Sequence, residues 1–101
     1  MILYPLKFIE THYPLENKVS LETPQAWIKG VWDISLRTLE LCMHDSYEDC
    51  PFYEQLQYAM DTRLQILFTY IINTDNSMQL KAIHDFHCSK LPEGILQSRF
   101  P

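Results

Sequence analysis

Glycine is almost absent from this chain, at 2 of 101 residues, while 47% of the residues are hydrophobic and 13% aromatic. That composition excludes a disordered chain and favours a globular, helix-leaning one. Clustered cations are missing too: the 8 Lys and Arg residues never stand side by side, and the net charge is −5. Phosphate backbones are bound by clustered cations, so nucleic acid is not an expected partner. No run approaches the roughly 18 consecutive apolar residues of a membrane span, so no membrane partner is expected either. The opening M-I-L-Y-P-L-K-F-I-E has no basic n-region and no cleavage site, and does not read as a secretion signal.

The cysteines, Cys42, Cys50 and Cys88, are odd in number, which argues against a self-contained disulfide framework. They form no C-x-x-C pair, and with His44, His84 and His87 they lack the spacing of a zinc site, so no metal is expected. Cys42 reads instead as a small apolar residue on the inner face of a helix, and Cys50 as a helix-start residue. No EF-hand pattern, internal repeat or low-complexity stretch occurs, and no residue pattern implies a cofactor.

What is present is one domain's worth of chain, enough to bury something like two-thirds of its unfolded surface. Residues 1–22 carry Pro5 and Pro14 among apolar and aromatic residues, which fits an extended segment and excludes a long helix. Thr23-Pro24 offers a cap followed by proline at a first helical position. Trp27, Val31, Trp32, Ile34, Leu36, Leu39, Leu41 and Met43 then trace an apolar stripe to about His44, with a break expected near Gly30. The tryptophans read as core residues or as a platform for sugar rings. Arg37, between them and the acidic stretch at 45–49, is free to pair with a carboxylate there or to lie in solvent. Asn73 to Ser77 is a turn cluster, Asn76 or Ser77 caps a third helix to about Lys90, and Leu91-Pro92-Glu93-Gly94 stops it.

The stretch from Tyr47 to Gln65, Y-E-D-C-P-F-Y-E-Q-L-Q-Y-A-M-D-T-R-L-Q, carries most of the chemistry. Pro51 suits a first helical position, with Asp49 or Cys50 as cap, and Leu56, Ala59, Met60, Leu64, Leu67 and Ile71 recur at helical spacing to about Ile72. Glu54 and Asp61 then share a face at a spacing of about 10 Å, with Tyr58 between them. Two acids, amides and a phenol in one stripe suit the hydroxyls of a sugar, with one carboxyl free for proton transfer. On spacing alone the same stripe is also the solvated face of an ordinary amphipathic helix. A helix start beside Asp49 would favour its ionised form, whereas an acid at Glu54 would need burial or crowding carboxylates.

D-C-P-F-Y-E-Q-L-Q-Y-A-M-D resembles the signature of the α-L-rhamnosidase family of glycoside hydrolases, whose motif runs Asp-Cys-Pro, an acidic residue, an aromatic and Gly-Asp. Here Met60 stands where the family carries that glycine. S-L-R-T-L-E-L-C before the motif and the helix after it, ending near Pro-Glu-Gly, are also similar to the family, so the resemblance extends over residues 28–101. It implies a mainly α chain: three helices behind an extended segment, forming part of an (α/α)6 six-hairpin barrel, with residues 23–101 as the partial helical domain. It also implies that Glu54 is the general acid and that Asp49 and Asp61 bind sugar hydroxyls, with Tyr58 beside them. The family's general base lies further along its chain than anything matching here, so a fragment that does not turn over a rhamnoside is expected. Two other classes fit: a carbohydrate-binding remnant using Asp49, Asp61 and the tryptophans, and a small helical interaction module that self-associates through an exposed apolar surface.

Overall fold

In the computed structural model, which describes residues 4–100, three helices and a two-stranded sheet follow one another in the order α1, β1, α2, α3, β2. Helix α1, Ala26–Leu41, is entered through Thr23, whose hydroxyl accepts the Gln25 N–H at 3.3 Å. It runs unbroken through Gly30, against the break expected there. Cys42 ends it, donating its N–H to the carbonyls of Thr38 and Leu39. Helix α3, Ser77–Cys88, begins after Asn76 as the turn residues indicate.

The second helix differs from expectation at its start. Helix α2 is Ala59–Ile72, not a helix from Pro51, and Tyr58 is its cap. Residues 51–54 form one turn, and Gln55 then takes the left-handed conformation, with φ 54°, which stops helical propagation. The Leu56 N–H is taken by the Asp49 carboxylate at 2.9 Å, while Leu56's carbonyl accepts the Asp49 N–H at 2.9 Å. A helix through this point would need the Leu56 N–H for the carbonyl four residues back.

Residues 57 and 58 instead form strand β1, Gln57–Tyr58, paired antiparallel with β2, Arg99–Phe100. The register sets Gln57 opposite Phe100 and Tyr58 opposite Arg99. The tail after α3, patternless in sequence, thus returns to the head of α2. Gly94, at φ 89°, makes the reversal in a turn closed by its N–H to the Leu91 carbonyl, an angle that glycine adopts without strain.

The expected extended N-terminal segment contains no strand among the described residues, and its residues 1–3 lie outside them, as does Pro101. It is tied to the helices by single bonds. Tyr13 donates its N–H to the Met43 carbonyl and Lys18 its N–H to the Ile72 carbonyl, while the Asn73 amide donates to the Glu16 carbonyl. Arg37 pairs with Glu10 rather than with a motif carboxylate.

The core is small: Leu39, Met43, Tyr47, Ile72, Met78 and Ala82, with Tyr13, Leu15, Trp32, Leu36 and Ile66 packed around them. Trp32 is thus half core, whereas Trp27 stands 71% exposed. Tyr47 is the centre, fully buried, with its hydroxyl donating to Thr69 Oγ1 at 3.0 Å. Burial pushes its phenol pKa to about 12. The whole is flat, 55 × 51 × 22 Å, with a radius of gyration of 16.8 Å. A compact chain of this length has about 13 Å.

Two outcomes follow. Tyr47→Phe removes one buried hydrogen bond and costs about 1 kcal/mol, whereas Tyr47→Ala costs about 3–5 kcal/mol, as read by urea unfolding. A loss below about 1 kcal/mol for the alanine variant would place the core elsewhere. Asp75 accepts the Ser77 hydroxyl and N–H and the Tyr13 phenol, and these bonds hold its pKa at about 2, below the usual 3.8. A folded-state value below the unfolded one stabilises above pH 3.8, and that contribution is lost as pH falls toward 2. Asp75→Asn therefore flattens the acid limb of stability measured between pH 4 and 2; an unchanged limb contradicts the assignment.

Candidate functional site

The loop from Asp49 to Tyr58 holds three of the candidate residues, Asp49, Glu54 and Tyr58, and Asp49 closes it. Its carboxylate lies below the usual range, first because the Leu56 N–H bonds to it and then through the neighbouring Cys50 groups. The expected cause, a helix start beside it, does not operate, since α2 begins ten residues later. The Cys50 sulfur accepts the Glu54 N–H at 3.2 Å and so shapes the turn. Cys42 is buried as expected, and burial together with nearby Glu48 raises its thiol pKa.

The turn lifts Phe52 and Tyr53 into solvent, 76% and 90% exposed, with their rings edge to face at a centroid distance of 5.2 Å. Glu54 follows, exposed, and its Oε2 accepts the Tyr58 O–H at 2.7 Å. The pKa of Tyr58 is raised by that bond, and Arg99 beside it pulls the other way. Strand pairing supplies the reason: β1 and β2 set Tyr58 opposite Arg99. Successive side chains of a strand point to opposite faces, so Tyr58 meets the carboxylate and guanidinium while Gln57 turns inward and is buried.

Glu54 and Tyr58 are therefore neighbours, but not as helix residues one turn apart. Asp61 sits in the first turn of α2, where a carboxylate suits the helix N-terminus, and no hydrogen bond joins it to Glu54 or Asp49 among the described residues. The stripe of Glu54, Tyr58 and Asp61 on one helix face is thus corrected, because Glu54 lies in the preceding turn. Arg99 was missed by sequence reasoning. Its only signal was a charge in a tail without periodicity, and the partner strand was read as helix.

A second surface lies on the other side of the loop. An open groove of about 640 Å³ runs between α1 and α2, lined by Ile28, Val31, Ile34, Phe68 and Ile71 over a floor of Leu39 and Ile72. Asp49 and Gln65 form its polar edge. Gln65 also donates its amide to the Glu48 carbonyl at 2.7 Å, and Glu48, buried, pairs with His44 at 3.0 Å. On α3, His84 Nε2 lies 3.5 Å from the exposed Cys88 sulfur. No group of three metal-ligating side chains occurs among the described residues.

The clasp gives a direct readout. Asp49 titrates below 3.8 in an NMR titration of the side-chain carboxyls, and Asp49→Ala speeds amide exchange at Leu56 and Glu54 while sparing residues 62–72 of α2. An Asp49 midpoint at or above 3.8 would contradict the bond to Leu56. No protein-family model matches this chain, and no curated protein or solved structure matches it.

Proposed function

We propose that the Asp49–Tyr58 loop with Arg99 is a carbohydrate-binding half-site, part of a six-hairpin glycoside hydrolase resembling the α-L-rhamnosidases. One observation carries the reading: an exposed carboxylate and guanidinium, Glu54 and Arg99, stand with the half-buried Tyr58 phenol beside an exposed aromatic pair, Phe52 and Tyr53. Sugars offer hydroxyls to the first three and C–H faces to the second two. The flat outline, with apolar faces in solvent, agrees with a few hairpins of a larger helical toroid.

In that reading Glu54 is the acid of the whole enzyme, and Tyr58 positions its carboxyl. Asp49 holds the loop and presents its second oxygen, and Asp61 belongs to a further subsite at the head of α2. Inverting hydrolysis needs a second carboxylate about 6.5–9.5 Å away, with a water between. Neither Asp49, engaged by Leu56, nor Asp61, in the first turn of α2, is offered as that base. This polypeptide therefore binds and does not turn over. The charge balance points to a neutral or cationic hydroxyl-rich ligand, since the acidic residues outnumber the basic ones 13 to 8.

L-rhamnose titrated into the 15N-labelled chain shifts the signals of Tyr58, Arg99 and Phe52 with a dissociation constant in the millimolar range, about −4 kcal/mol, and Glu54→Gln weakens it several-fold. An aryl rhamnoside is not hydrolysed. Absence of shifts at saturating sugar would remove the carbohydrate reading, and release of rhamnose lost on Glu54→Gln would remove the half-site.

A further inference from the structure

The N-terminal segment meets the chain just past α1 at one point, where Tyr13 donates its N–H to the Met43 carbonyl at 2.7 Å. The residue before Tyr13 and the residue after Met43 are both histidines, His12 and His44. Their side chains line one cleft of about 390 Å³, together with Asp45. No Lys or Arg lines that cleft.

Each ring is held through Nδ1. His12 Nδ1 lies 2.7 Å from the Tyr13 carbonyl oxygen, and His44 Nδ1 lies 3.0 Å from Glu48 Oε1. A carbonyl and a carboxylate accept, so Nδ1 carries the proton and Nε2 of the neutral ring keeps its lone pair. Among the described residues no hydrogen bond engages either Nε2. Behind His44, the Glu48 side chain is only 9% exposed, and its Oε2 has no partner. A buried carboxylate with one neutral donor is under-compensated, and positive charge on the far side of the imidazole would offset it. Carboxylate, imidazole and ion in line is the arrangement that orients metal-bound histidines.

We propose that His12 and His44 bind a divalent transition ion of the zinc class through Nε2, clamping the N-terminal segment to the loop after α1. Imidazole suits zinc, copper and nickel, whereas calcium and magnesium take oxygen ligands. No three ligating side chains converge among the described residues, so the two rings hold the ion and water completes its shell. Asp45 adds favourable charge to the same cleft. Cysteine and histidine spacing did not reveal the pair, because only the Tyr13–Met43 bond brings its members together. Neither histidine belongs to the group of Glu54, Tyr58 and Arg99, so the ion site stands apart from the sugar-binding reading.

Zinc chloride titrated into the full chain, followed by calorimetry and by NMR of the histidine ring nitrogens, tests the site. One ion per chain binds with a dissociation constant in the micromolar range. The Nε2 signals of His12 and His44 move, and those of His84 and His87 stay. Magnesium chloride at the same concentration moves none of them. His12→Ala and His44→Ala each weaken binding by at least the roughly 10-fold that loss of an orienting partner costs. His12 is exposed, so His12→Ala does so with unchanged far-UV circular dichroism. Bound zinc also slows amide exchange at Tyr13, whose N–H joins the two segments. Absence of binding at about 1 mM zinc overturns the proposal. So does binding that His12→Ala leaves intact, or binding that Cys88→Ser abolishes, since that sulfur lies 3.5 Å from His84 Nε2.

Discussion

The pair of hydrogen bonds between Asp49 and Leu56 is the constraint on which the rest of this structure depends. Through its backbone N–H and its carboxylate, Asp49 occupies both backbone groups of Leu56. The chain between them must then close as a loop, with Gln55 in the left-handed region to complete it. That closure releases residues 57 and 58 to pair as a strand and delays α2 to Ala59. Without it, Pro51 and the apolar spacing beyond would favour one longer helix, and Tyr58 would not meet Arg99.

Loop closure also divides the surface by chemistry. On one side are the polar and aromatic groups, Glu54, Tyr58, Arg99, Phe52 and Tyr53, none of them needed for the core. On the other, the Asp49 carboxylate borders an apolar groove that the small core leaves uncovered. A core of six buried side chains cannot cover both flanks of α1. Its own residues explain this: one flank, Trp32, Leu36 and Leu39, packs inward, and the other, Trp27, Val31 and Ile34, is equally apolar. The helix thus carries two apolar flanks beside a charged one, Lys29, Asp33, Arg37 and Glu40, and the core covers one of the two.

The helices were legible in the sequence because their apolar periodicity is strong and their boundaries carry turn residues. Asn76 and Ser77 marked the start of α3, Pro92 and Gly94 its stop, and Thr23-Pro24 came within two residues of the start of α1. Residues 51–58 were not legible, since the deciding bond joins positions seven apart and a side chain to a backbone, which periodicity does not encode. The same holds for β2, whose two residues form a strand only because β1 is there to receive them. Of the candidate site, Asp49, Glu54 and Tyr58 were singled out by residue type, and a hydrogen bond from the strand to the preceding turn, rather than the expected helical spacing, joins Tyr58 to Glu54. Asp61 was placed with them by a helical spacing that the loop cancels.

Backbone chemical shifts of the full chain test this account most directly. It predicts no run of helical 13Cα shifts over residues 51–58, helical shifts beginning at Ala59, and cross-strand contacts from Gln57 to Phe100 and from Tyr58 to Arg99. An unbroken helical run from Pro51 into α2, with no contact to the tail, would contradict it and return Glu54 to a solvated helix face.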